Sequence, residues 1–339
     1  MAYIKLNKSH FFNNLDIIAR QTKSIDKIAL VLKDNAYGHG LLELSTMAKE
    51  YGVTKAVVKD EQEARAIEDF FEYILVLAPK NPIPNSKFCY TINSLESIKL
   101  FPKNSNVELK TDSGMHRNGV SIDELESAFG AIKKAELNLV GVFSHHKSAD
   151  ELSSEWFWQR KNFEDIKKLS KDLAKRYGFN ELRFHSSNSA ALFRCENFDE
   201  DMARVGIAAY GCLEMPKSFG TYEFKPILSL FATKNSTRTL TKGSRIGYGG
   251  DGFIKQDSIV SNYDLGYGDG FFRAMASANY KTPKGYELVG RVSMDNSSFL
   301  SSDGEILVFD DARVVASYAK TISYEVLTSL KAELKRVIV

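Results

Sequence analysis

With 339 residues the chain is too long for one small core and fits a barrel-sized domain plus a second module. Lys+Arg 45 against Asp+Glu 43 leave a formal charge of +2, so no field argues for nucleic acid or an anionic membrane, and no stretch approaches the ~20 apolar residues of a bilayer crossing. The opening residues lack an apolar run behind a basic start, so a cytoplasmic protein is expected; Cys89, Cys195 and Cys212 read as reduced and buried, and neither they nor the six histidines have metal-ligand spacing.

In chain order, residues 14–27 carry apolar side chains at helical spacing (Leu15, Ile17, Ile18), and residues 28–32 read as a short buried strand. Lys33 stands where that strand stops and a loop bracketed by Gly38 and Gly40 begins. At the rim of a pocket an amine is partly desolvated, which favours its neutral form and frees the lone pair for attack on a carbonyl, as a Schiff-base lysine requires. An isolated strand-end lysine more often just reaches solvent, so the flanking residues decide. Further apolar runs follow at 56–58, 73–77, 89–92, 107–109, 139–143, 182–184 and 205–210, with helical stretches such as 61–71, 95–101, 122–135 and 154–177 between them.

Eight strand candidates alternating with helices over about 200 residues match a (β/α)8 barrel of TIM type, although a doubly wound open sheet would use the same elements. A barrel places its active site on the loops after its strands. Lys33 follows the first run, Lys110-Thr-Asp the fifth, His145 the sixth and His185-Ser-Ser-Asn-Ser189 the seventh, while Arg204 falls just before the last. After about Pro226 the texture changes to short β-rich runs, 227–232, 258–262, 287–292 and 305–309, separated by Gly, Asp and Asn. The expected fold class is therefore α/β, a barrel over residues 1–223 followed by a mostly β C-terminal domain over 224–339.

Lys33-Asp-Asn-Ala-Tyr-Gly-His-Gly40 resembles the attachment motif for pyridoxal 5'-phosphate (PLP) in bacterial alanine racemases, with Asp34 where that family usually has a small residue. Arg204-Val-Gly-Ile-Ala-Ala-Tyr-Gly211 is similar to the segment whose arginine faces the pyridine nitrogen and whose Gly-Ile amides receive the phosphate. The resemblance implies PLP as cofactor, Lys33 as its attachment point, and Tyr37, Ser189, Gly206, Ile207 and Tyr324 at the phosphate. It also implies Arg204 at the ring nitrogen and His145 beside the ring. Val107-Glu-Leu-Lys-Thr-Asp-Ser-Gly-Met-His-Arg117 resembles the segment in which a lysine, often carbamylated, orients a substrate-side arginine, implying Lys110 and Arg117.

In the β-rich part, Leu265-Gly-Tyr-Gly-Asp-Gly-Phe-Phe-Arg273 is similar to the family's signature around its catalytic tyrosine, here Tyr267. Gly290-Arg-Val-Ser-Met-Asp295 resembles the companion motif whose methionine amide, here that of Met294, meets the substrate carboxylate; Ser293 stands where the family more often has Cys. The family's longer arginine-containing tail is shorter here, ending Leu334-Lys-Arg-Val-Ile-Val339.

By resemblance the reaction is interconversion of L- and D-alanine by two bases on opposite faces of Cα, Lys33 for the D-enantiomer and Tyr267 for the L-enantiomer, supplying D-alanine for peptidoglycan. A homodimer with the tyrosine contributed by the partner subunit is implied too. Three other readings stay open at this point. A PLP-carrier protein would share the barrel but lack the β domain, and a decarboxylase of the same barrel type would carry a Cys-Asp motif not found here. A racemase acting on serine or on basic amino acids is the nearest rival.

Overall fold

The computed structural model describes residues 2–339, and its centre is a ring of parallel strands. The first strand of the chain, β1 (Tyr3–Leu6), lies outside that ring. The ring comprises β2 (Ile28–Val31), β3 (Lys55–Val58), β4 (Tyr73–Val76), β5 (Phe88–Ile92), β6 (Asn106–Lys110), β7 (Asn138–Phe143), β8 (Arg183–His185) and β9 (Ala203–Val205). Neighbours pair in parallel from β8 down to β2, and β2 pairs with β9. The seam between β8 and β9 is crossed by the Asp201 amide on the Phe184 carbonyl at 3.1 Å and the Arg204 amide on the Ser187 carbonyl at 2.9 Å. The barrel is thus nearly closed, and β2 and β5 are buried along their whole length, as strands covered on both faces must be.

Most barrel strands fall on the apolar runs, but the last does not. The run 205–210 is strand only at Val205; Arg204 sits inside β9, and Gly206 to Tyr210 form a buried turn closed by the Tyr210 amide on the Gly206 carbonyl at 3.1 Å. Apolar character follows burial, and a buried turn is as apolar as a strand. The first helix likewise starts earlier than its apolar spacing, at Lys8–Thr22, because Asn7 caps it by accepting the His10 amide at 2.9 Å and Lys23 ends it in a left-handed conformation.

The second sheet is built on β10 (Leu228–Leu240), which pairs with β1, with Ser258–Tyr263 and with Glu305–Phe309, all antiparallel. The N-terminal strand therefore crosses the division expected near residue 223: β1 lies between β10 and Lys335–Ile338, with which it runs parallel. Residues 287–292 form no strand, only isolated bridges at Glu287 and Leu288. Two helices, Ala312–Ala319 and Ser323–Thr328, interrupt the β texture. Among the described residues no helix is long and apolar enough to cross a membrane.

Candidate active site

Lys33 follows β2 with only Leu32 between, at the carboxyl end of the barrel. The next four residues, Asp34, Asn35, Ala36 and Tyr37, all have left-handed backbones, with φ of 53°, 54°, 52° and 51°. Such a turn costs a non-glycine residue roughly 1–2 kcal/mol, so it persists only where its surroundings over-determine it. The Ala36 amide bonds back to Leu32 at 2.8 Å, the Asn35 amide donates to Glu63 Oε1 at 3.1 Å, and Asn35 Oδ1 accepts the Leu41 amide at 2.8 Å. His39 lies within 2.9 and 3.0 Å of the carbonyls of Ala36 and Tyr37 through Nδ1, which must therefore carry a proton. Burial holds this imidazole down to about 4, so it is neutral, and its ring stacks on Tyr210 at 4.4 Å. Asp34, the departure from the motif, accepts Lys59 Nζ at 3.0 Å and stands 3.8 Å from Lys33 Nζ.

Tyr37 ends the turn beneath the mouth. A Cβ on Gly206 would lie 3.2 Å from its ring, so glycine there keeps the tyrosine and the Gly206 peptide in close approach. Tyr324, on the helix Ser323–Thr328, packs 5.6 Å from Tyr37 between ring centroids. Burial raises both phenols, and neither hydroxyl has a hydrogen-bond partner among the described residues. Ser189 Oγ accepts the amides of Gly206 at 3.1 Å and Ala208 at 3.3 Å, and Ile207 between them is buried. Two unpartnered phenol donors beside a glycine peptide and a serine hydroxyl are chemically suited to a phosphate.

Arg204 is buried in β9 and held on one side only. Nη1 donates to His185 Nδ1, and Nη2 donates to the carbonyls of Ser144 at 2.6 Å and Ser186 at 3.1 Å. Since a guanidinium can only donate, His185 Nδ1 accepts and Nε2 carries the proton, which it gives to Glu108 Oε2 at 2.7 Å. Glu108 also accepts from Tyr73 at 2.8 Å. Burial and Arg204 keep His185 neutral, while the partners around Glu108 outweigh its burial and hold its carboxyl below the usual range. Burial lowers the Arg204 guanidinium to about 10, which still leaves it protonated near neutral pH. Its Nε–H has no partner among the described residues, leaving one donor for a ring nitrogen.

The remaining candidates gather around this arginine. His145 Nδ1 lies 3.5 Å from Arg204 Nη2, and burial together with Arg204, Lys110 and Arg117 keeps its imidazole neutral. Lys110, the last residue of β6, is brought down to about 8 by burial and by the charges of Arg117, Arg204 and Lys33. Lys33, Tyr37, Lys110, Arg117, His145, Ser189, Arg204, Gly206, Ile207 and Tyr324 thus share one mouth. Tyr267 and Met294 do not join them. They belong to two interlocked loops of the β-rich part, where the Tyr267 amide bonds the Ser293 carbonyl at 3.0 Å and the Gly268 amide the Met294 carbonyl at 2.8 Å. Both side chains are exposed, 41% and 57%.

Sequence reading assigned no role to Glu108, His39 or Arg336. An acid inside the apolar strand Val107-Glu-Leu109 was the available sign for Glu108; the other two act through main-chain carbonyls that leave no mark in a motif.

Comparison with known proteins gives one answer over nearly the whole chain. The family model for the alanine racemase N-terminal domain matches residues 6–214, and that for the alanine racemase C-terminal domain matches residues 227–338. An alanine racemase of Nitratiruptor sp. is 43% identical over 338 residues, 99% of each chain. Among solved structures, an alanine racemase of Clostridium difficile superposes with a TM-score of 0.88 at 26% identity, covering 100% of this chain and 95% of that one. One from Bacillus anthracis, solved with bound L-Ala-P, gives 0.87 at 26% identity and the same coverage.

Proposed function

The chain belongs to the alanine racemase family, and on that premise we propose how it interconverts L-alanine and D-alanine: with PLP held on Lys33 and with two bases drawn from two subunits. The observation that carries the reading is the convergence on one barrel mouth of Lys33, the unpartnered hydroxyls of Tyr37 and Tyr324, and an arginine with one donor to spare. Tyr37, Tyr324, Ser189 and the Gly206 and Ile207 amides would take the phosphate, Arg204 the pyridine nitrogen, and His145 the side of the ring. Bound there, PLP would supply the electron sink that makes the Cα proton of the amino acid removable.

The residues do the rest. With the cofactor bound, Arg204 would donate to the ring nitrogen while keeping its own proton, which would limit how far charge is drawn away from Cα and favour return of the proton there over transamination. Lys33 Nζ holds or delivers a proton on one face of Cα, and Tyr267 Oη of a partner subunit does so on the other. Arg117 and the Met294 amide orient the substrate carboxylate, and Lys110, as a carbamate, would anchor Arg117 by exchanging a positive neighbour for a negative one. The dimer is supported by the exposure of the Tyr267 and Met294 side chains on loops of the β-rich part, where a second copy can reach them. The D-alanine formed supplies peptidoglycan.

The test is Tyr267→Phe. It should abolish exchange in both directions, by at least about a hundredfold in keeping with the loss of a general base, while PLP stays bound to the protein. Unaltered racemisation by this variant removes Tyr267 from the mechanism.

A further inference from the structure

Arg336 lies on the strand Lys335–Ile338, beside β1 and far in sequence from the lysine turn. All five of its N–H donors go to main-chain carbonyls. Nε and Nη2 reach the Gly38 carbonyl at 3.2 and 2.8 Å, and Nη2 also reaches Lys331 at 3.1 Å. Nη1 reaches Ala332 and Leu334, each at 2.6 Å. Its charge is met by carbonyl dipoles, with no carboxylate in ion-pair contact among the described residues.

The two things it joins are the two segments that present Tyr37 and Tyr324. Gly38 is the residue after Tyr37, at the close of the left-handed turn. The Lys331–Leu334 turn follows the helix Ser323–Thr328 that carries Tyr324. The segments also touch directly, since a Cβ on Gly38 would collide with the Leu327 carbonyl of that helix. A lysine could not replace this arginine, because three donors on one point cannot span carbonyls on both sides as a planar five-donor fork does.

We propose that Arg336 is a positioning residue that sets the spacing of the Tyr37 and Tyr324 hydroxyls, and through them the cradle for the cofactor's phosphate. The proposal rests on the reading of those tyrosines as phosphate ligands. It separates phosphate binding from capture by Lys33, and pyridoxal, which has the same aldehyde without the phosphate, distinguishes the two.

The experiment is a spectroscopic titration of apoenzyme with PLP and, separately, with pyridoxal, on the wild type, R336M and R336K. R336M should weaken PLP about tenfold or more and leave pyridoxal unchanged within about twofold, a selective loss that general destabilisation does not produce. R336K should show most of the same loss; should R336M fail to fold, R336K alone carries the test. Equal weakening of both ligands, or no change in either, overturns the proposal. A wild type that binds pyridoxal as tightly as PLP instead overturns the phosphate reading of Tyr37 and Tyr324.

Discussion

Lys110 ends its strand among Arg117, Arg204 and Lys33, and the fold brings its ammonium down to about 8. In the unfolded chain it would titrate near 10.5. Between those values the unfolded chain binds a proton that the folded chain excludes, so this residue's contribution to stability rises with pH from about 8 to 10.5. The same shift makes it an unusual nucleophile. At pH 7.5 roughly a quarter of the side chain is the free amine, where an ordinary lysine offers about one part in a thousand. Carbon dioxide adds to the free amine with release of a proton, so ¹³C-bicarbonate should give a carbamate carbon signal that strengthens as pH rises through 8 and disappears in Lys110→Gln. No carbamate signal in the wild type across that range would leave Lys110 a plain cation.

At this scale the motif residues were legible because each stands at a strand end within a distinctive local string, Lys33 and Arg204 above all. Glu108 and Arg336 were not, because what they do depends on partners 77 and 298 residues away, at His185 and Gly38. A linear pattern holds no record of such pairings.

Among elements, the left-handed turn after β2 has the greatest consequence. It places Lys33 and Tyr37 on one short arc, and it is held by Glu63, Asn35, His39 and Arg336 from four directions. Gly38 closes it at a φ of 76°, with no room for a Cβ against the Leu327 carbonyl. Gly38→Ala should therefore lower stability by about 2 kcal/mol or more, combining the strain of a positive φ with displacement of the Tyr324 helix. Urea denaturation measures it, and an unchanged midpoint would mean that the turn tolerates far more than its packing implies. Periodicity placed most barrel strands well but did not see this turn, whose sequence of Asp, Asn, Ala and Tyr carries no glycine until its end. It also drew the last strand too late, because the Gly206–Tyr210 turn is as buried as the strand before it. The helices Ala312–Ala319 and Ser323–Thr328 were hidden within a segment whose neighbours read as β, so the helix that carries Tyr324 went unseen.

For the whole molecule, the barrel and the β-rich part were legible as a change of texture near Pro226, while the return of the N-terminal strand β1 to the second sheet was not. Pairing between residues 3–6 and residues 228–231 or 335–338 is long-range, and four residues of alternating burial do not name their partner. The consequence for function lies in how the two halves of the chemistry are distributed. One chain carries Lys33 at a barrel mouth and Tyr267 exposed on a loop of the β-rich part, and on the proposed reading two copies build one site, each lending its tyrosine to the other.

The most direct measurement of that claim is D-alanine formation from L-alanine by a mixed dimer of Lys33→Ala and Tyr267→Phe subunits, co-expressed with two tags and purified through both. If lysine and tyrosine meet across the interface, one of the mixed dimer's two sites has both bases intact, and about half the wild-type turnover should return although each variant alone is inactive. If both bases belonged to the same subunit, every site in the mixed dimer would lack one of them. A purified mixed dimer that forms no D-alanine, beside a wild type that does, would contradict the shared site.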